Sequence, residues 1–387
     1  MKKPHLVYLG LSGFPRGMAP IQRQKLLSKS LIKENWDVSV ICGRGVHNKE
    51  AGVLSSGFVE GIYYEYFHSA TRIQGFINRN IYKILAPFGE FIILSRMKKG
   101  KGISAAIVTD RNLIWDALKY RVFALILGFD IYINLVELYK HRPKLPFLIK
   151  VNDYIFNKIG CYLYDGIIPI STYLMEETAS FKKKTLLVPI ITDTTVFDEI
   201  KIERKNHILY CGSASYYEAI LVVLRAFADV KNLGVNLILV IGGSKGQIEK
   251  VKTEVSRLGI HARVEIRSNI SDLELNSLYA SAQALLLPLF QTIQDEARFP
   301  HKFGEYLASG SVVITNPVGE IKNYLSHHEN VIFASNNEPV EMAYWIDWVL
   351  DNELESKVIG LKGKEIAKTF FDYRAYGTLL SNFFLEP

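Results

Sequence analysis

Short apolar runs recur along this 387-residue chain with longer amphipathic stretches between them, and the rhythm breaks once and then restarts. His5 to Gly10, Asp37 to Cys42, Ser104 to Thr109, Asp130 to Leu135 and Asp165 to Ile170 read as the strands of a first half. His207 to Gly212, Asn236 to Gly242, Arg263 to Ile266, Ala284 to Pro288, Ser311 to Thr315 and Asn330 to Phe333 read as those of a second. Strands separated by helix-length segments cannot join as tight hairpins; they require crossover connections and a parallel sheet. The pattern therefore predicts an α/β protein of two Rossmann-like domains, and the length suffices for two buried cores. The break lies in residues 186 to 206, where Pro189 precedes a polar, charged run. It sets the domains at 1–188 and 189–387.

Charge divides the same way. Residues 1 to 190 hold 27 Lys and Arg against 14 Asp and Glu, whereas the remainder holds 19 against 25, so a basic half is joined to an acidic one within an overall +7. A basic domain suits nucleic acid, an anionic membrane or a phosphate-bearing acceptor, and charge alone does not choose among them. No nucleic-acid-binding module is legible. Residues 71 to 101 mix apolar and aromatic side chains with seven Lys or Arg. They read either as a core-facing helix pair with a solvated basic face or as a segment lying on a membrane surface. The best spanning candidate, residues 122 to 136, is interrupted by Asp130, so no transmembrane helix is expected. The three cysteines, Cys42, Cys161 and Cys211, have neither metal-ligand nor disulfide-framework spacing and read as buried free thiols. With no secretory leader in Lys2 to Gly13, a cytoplasmic protein is expected, with contact at the inner face of a membrane through the basic domain as a further possibility.

Two segments carry candidate chemistry. Leu6 to Gly17 reads as a strand, a glycine-rich turn and a helix start, a place where backbone can approach a ligand. Its glycines at 10, 13 and 17 do not have the dinucleotide spacing, which argues against NAD. Phe299 to Thr315 reads as a loop, a short helix with Glu305 in its first turn, a stop at Gly310 and a buried strand. Amides at a helix start near Phe303 and Gly304 can meet phosphate oxygens, a carboxylate one turn in can accept from ribose hydroxyls, and Lys302 adds a cation. No Asp-x-Asp triplet or His cluster is present to hold a divalent ion, so no cofactor is expected and any chemistry should be metal-independent.

The pattern Pro-x-Lys-x-x-Glu-Tyr-Leu-Ala-x-Gly at 300–310, with Asn316 to Ile321 after the strand, resembles the sugar-nucleotide site of retaining GT-B glycosyltransferases of family 4. The resemblance implies two Rossmann-like domains facing each other across a cleft, with a C-terminal helix crossing back to the first. The first would bind an acceptor around Gly13, Phe14, Arg16 and Gly17, with Tyr139 where relatives carry His in a Glu-Leu-His group and Glu137 as a catalytic candidate. The second would bind a nucleoside diphosphate sugar through Glu305, Gly212, Ser213, Arg267, Phe303 and Gly304, with Lys302 as the catalytic cation. The reaction implied is retaining transfer to a lipid-linked or polysaccharide glycan.

Three positions depart from the family pattern. Ala297 stands where the first Glu of the paired acidic motif would contact the donor sugar, beside Asp295 and Glu296. Ser213 to Glu218 replaces the segment that supplies an Arg and a Lys to the diphosphate, leaving Lys302 and Arg298 as substitutes. Tyr139 replaces the His. These departures keep two alternatives open: a GT-B protein that binds nucleotide without turnover, and a sugar-nucleotide epimerase using the same crevice.

Overall fold

The first sheet has eight strands and is built around β1 (His5–Leu9), whose five residues are all buried. The structure, a computed structural model, describes residues 2–10, 13–17, 19–48, 51–109, 113–137, 146–200 and 203–386. The chain divides into two units, Met1–Ile191 with Tyr373–Pro387, and Thr192–Asp372.

In the first unit β1 is followed by α1 (Ala19–Lys33), β2 (Asp37–Cys42), β3 (Ser56–Val59), β4 (Ile62–Tyr66), α2 (Phe76–Gly100) and β5 (Ala105–Val108). Then come α3 (Ile114–Leu127), β6 (Asp130–Leu135), α4 (Phe147–Ile159), β7 (Gly166–Pro169), α5 (Thr172–Thr178) and β8 (Lys184–Thr185). The strand order is β3-β4-β2-β1-β5-β6-β7-β8, parallel except for the β3–β4 pair. That hairpin turns on Glu60 and Gly61, both at positive φ (54° and 81°), as a two-residue turn matched to strand twist requires. All five strands expected in this half are present, with ends shifted by a residue at most. Residues 71 to 101 do not form a helix pair. They supply one 25-residue helix, α2, whose core contact is confined to Gly89, Glu90, Ile93 and Leu94. Its outward face is returned to below.

Arg23 of α1 is 3% exposed and donates to the carbonyls of Val188 (2.7 Å) and Pro189 (2.5 Å) and to Asn134 Oδ1 (3.3 Å). Burial lowers its guanidinium to about 10, which still leaves it charged at neutral pH. Arg23→Ala would strip two buried carbonyls of their donor, and a loss of about 3 kcal/mol is expected. The measurement is the urea midpoint of the transition that reports the first unit.

The second unit runs β9 (His207–Ser213), α6 (Tyr217–Asp229), β10 (Asn236–Gly242), α7 (Lys245–Arg257), β11 (Val264–Arg267), α8 (Asp272–Ser281), β12 (Ala284–Leu287) and α9 (Ile293–Ala297). It continues with α10 (His301–Ala308), β13 (Val312–Thr315), β14 (Ile332–Phe333), α11 (Pro339–Asp351) and α12 (Glu353–Ile366). Its six strands are all parallel, in the order β11-β10-β9-β12-β13-β14. Gly310 follows the α10 C-cap at φ 76°, a left-handed stop that a side chain would strain.

After Asp372 the chain returns to the first unit with α13 (Gly377–Leu385), where it lies on α1. Trp36 Nε1 donates to Ser381 Oγ at 2.9 Å, and the rings of Phe383 and Phe384 pack on Tyr132 at 5.2 and 4.9 Å. Gly377 is required here, since a Cβ would meet the Ser30 carbonyl at 2.6 Å. All three cysteines are buried with free thiols, as their apolar settings indicated.

Candidate functional site

The second sheet grows in one direction from β9 to β10 and β11, and in the other to β12, β13 and β14. The order therefore reverses between β9 and β12, and in open parallel sheets ligands bind outside the carboxyl ends of strands at such a switch point. The chain leaves β9 there through Gly212 and Ser213, both partly exposed. Ser213 Oγ lies 2.8 Å from Ser215 Oγ and accepts from the Ser215 amide, which fixes the turn into α6. A Cβ at Gly212 would meet Tyr210 Oη at 2.7 Å, so this position stays free of side chain.

Against this strand end lies α10. Tyr306 is fully buried and its phenol oxygen accepts from the Cys211 amide at 2.7 Å, locking the helix to β9. That contact sets Lys302 and Glu305, one turn apart, beside Cys211. Lys302 Nζ lies 3.2 Å from Tyr279 Oη and 3.5 Å from Glu305 Oε2, and His301 Nε2 lies 3.5 Å from Glu305 Oε1. Burial works against the Lys302 charge, but the Glu305 carboxylate outweighs it and holds the ammonium above its ordinary value. Burial pushes the Cys211 thiol up, so it stays protonated at neutral pH. The result is a stable cation and a carboxylate at the mouth of a strand. Two contacts at 3.5 Å occupy only part of a carboxylate's roughly four acceptor positions.

Arg298 completes the rim. Its guanidinium lies over the Tyr216 ring at 4.7 Å and pairs with buried Asp295 at 2.6 Å, while its buried Nε has no hydrogen-bond partner. Arg298 and Lys302 thus border residues 210 to 216 from the α9–α10 segment. The two acids beside Ala297 are already committed: Asp295 also accepts from the Phe290 amide, and Glu296 from the Gly319 amide, with Lys322 3.7 Å away. Ala297 itself is 1% exposed.

Several site expectations need correction. Pro300 is the N-cap of α10, so the helix starts at His301, and Glu305 lies beyond the first turn. Its setting comes from His301 and Lys302, at i−4 and i−3, rather than from the helix dipole. Phe303 is a core ring whose amide bonds the Pro300 carbonyl, and Gly304 is buried, so neither marks the helix start. Arg267, at the end of edge strand β11, is neutralised by Glu265 (2.7 Å) and Glu274 (3.1 Å). Gly242-Gly243-Ser244-Lys245-Gly246 has the letter spacing of a hydrolase nucleophile elbow. Ser244, however, is the N-cap of α7 in a capping box with Gln247.

In the first unit Gly13, Phe14, Arg16 and Gly17 share one turn after β1. Gly13 has φ 121°, the Phe14 carbonyl accepts from Tyr66 Oη at 2.8 Å, and Arg16 donates to the Ala51 carbonyl at 2.8 Å. Phe14 is fully buried, so its ring is core. Glu137 follows β6 by two residues and is half-buried. Tyr139 lies outside the described residues.

Residues 192–365, which hold the whole Lys302–Glu305 constellation, match the family model described as glycosyl transferases group 1. This segment is a group 1 glycosyl transferase domain. The chain is also similar over 149 residues, at 26% identity, to an uncharacterized glycosyltransferase of Methanocaldococcus jannaschii. That alignment spans 38% of this chain and about a third (36%) of the relative. The whole chain has the GT-B fold. It is similar to the sucrose-phosphate synthase of Thermosynechococcus elongatus with TM-score 0.77 and 14% identity over 98% of both chains. It is likewise similar to Anabaena HepE, solved with UDP and glucose, with TM-score 0.72 and 13% identity over 100% of both.

Proposed function

We propose that the protein transfers a sugar from a nucleoside diphosphate sugar to a glycan, lipid-linked or part of a polysaccharide, with retention of anomeric configuration. The observation that carries this reading is the Lys302–Glu305 pair held against the end of β9 at the switch point of a glycosyl transferase domain. Glu305 would accept from the ribose hydroxyls. Lys302 would face the diphosphate, whose charge grows as the sugar leaves, with the Arg298 guanidinium, paired to Asp295, beside the same turn; a cation fixed beforehand lowers that barrier. With Lys302 so placed, this reading calls for no divalent ion. Glu137 and the turn at Gly13 to Gly17 belong to the acceptor side.

Binding of donor nucleotides tests this directly. A nucleoside diphosphate well above its Kd stabilises the protein by RT ln(1 + [L]/Kd), about 2.7 kcal/mol at a hundredfold excess. UDP, GDP and ADP, with their glucose or mannose conjugates, are compared by thermal unfolding on the wild type and on Glu305→Ala. One nucleotide should stabilise the wild type and lose that effect in the variant. If none stabilises the wild type, the reading fails.

The fully buried Ala297 and the committed carboxylates of Asp295 and Glu296 favour one second reading, a nucleotide-binding protein without turnover. Stabilisation by nucleotide with no release of diphosphate from any donor, with or without added acceptor, would select it.

A further inference from the structure

Eighteen of the thirty-five exposed large hydrophobic side chains among the described residues sit on three helices of the first unit, α2, α3 and α4. They form stripes rather than scattered positions. On α2 six of the seven exposed residues, at 77, 81, 84, 85, 88 and 92, fall on one helical face opposite Glu90 and Leu94, while Phe76 in the first turn lies off it. On α3 they fall at 115, 118, 122, 125 and 126, opposite Ala117, Tyr120 and Ala124. The first turn of α4 adds Phe147 and Leu148, 77% and 79% exposed. The helices are neighbours: the rings of Phe91 and Phe123 lie 5.2 Å apart between α2 and α3, and the Ile114 amide at the start of α3 donates to Asn152 of α4. An apolar area of this breadth is unusual on the surface of a folded domain and marks an interaction face.

Charge identifies the partner. The three helices carry nine Lys or Arg and three acids, with Lys99 on the apolar side of α2 and Lys158 beside the exposed Phe147, Val151 and Tyr154 of α4. Glu90 and Asp153 are buried, and Asp116 is paired with Lys119 at 3.1 Å. The outward face therefore combines apolar stripes with cations and has almost no exposed negative charge. A protein partner would need acids matched to each scattered cation, whereas an anionic bilayer offers hydrocarbon and a uniform negative plane at once. No helix among the described residues is long and apolar enough to cross a membrane, so contact would be in the plane.

We propose that the α2–α3–α4 face is a docking surface for anionic phospholipid bilayers, with α2, roughly 37 Å long at 1.5 Å per residue, lying flat at the headgroup boundary. The inference stands on this face alone and does not depend on glycosyl transfer.

The full chain is floated with phosphatidylcholine vesicles and with mixed phosphatidylcholine–phosphatidylglycerol vesicles. Binding to the mixed vesicles only, weakened by salt, is expected. Phe88→Glu with Phe147→Glu should lower the partition coefficient by about a hundredfold or more. Lys99→Glu should lower it about fivefold. All variants should keep the wild-type thermal midpoint and circular dichroism, because these side chains point to solvent. No binding of the wild type, or equal binding to both vesicles, overturns the proposal. So does a dimer in sedimentation velocity that the double variant dissociates, since that would make a second copy the occupant.

Discussion

Deletion of Tyr373–Pro387 is expected to unfold the first unit while leaving the second folded. Tyr373, Tyr376, Leu380, Phe383 and Phe384 are buried in the first unit's core, at 8% exposure or less. Removing them also uncovers Trp36 and Tyr132, which lose their ring contacts. At roughly 1.5–3 kcal/mol for each large apolar side chain, the loss approaches the whole net stability of about 5–15 kcal/mol typical of a domain. Calorimetry should show one transition lost and one retained, with a matching rise in binding of a hydrophobic dye. Retention of both transitions would show that the last fifteen residues decorate the core rather than complete it.

Lys302→Ala is expected to lower kcat for sugar transfer by about 10²–10³-fold, the usual effect of removing one preorganised group that stabilises developing negative charge. KM for the donor should change less, because the charge on the leaving diphosphate is largest in the transition state. The fold should survive, since Lys302 is partly exposed and α10 is held by Phe303, Tyr306 and Leu307. Lys302→Arg should restore part of the rate. An unchanged kcat would mean that the ammonium serves only to cover the Tyr279 ring.

How much of this was legible in the sequence differs between sheet and site. Eleven parallel strands were readable because a strand covered on both faces is a run of apolar residues, as in Leu237 to Ile241. The β3–β4 hairpin was not, because its strands are half-exposed and its turn, Glu60-Gly61, lacks the Asn-Gly or Asp-Gly signature. Lys302 and Glu305 were legible through their spacing on one helix. The position of Glu305 within that helix was misread, since Pro300 caps the helix and moves its start to His301. Arg298 over Tyr216 and Lys302 beside Tyr279 are contacts between residues far apart in the chain, which no local pattern carries. Arg267 failed for a related reason: a lone cation in a sequence reads as available, and only the fold brings Glu274 to its side.

The return of the chain to its first sheet also fixes an order of events at the ribosome. Thr192–Asp372 is continuous and is fully synthesised before Tyr373 emerges, so the second unit can fold first although it comes later in the gene. At roughly 5–20 residues per second, the first unit, with all eight of its strands already made, waits on the order of ten to forty seconds with the ground beneath α13 uncovered. During that interval the apolar surface that Tyr373, Tyr376, Leu380, Phe383 and Phe384 later cover is open to solvent.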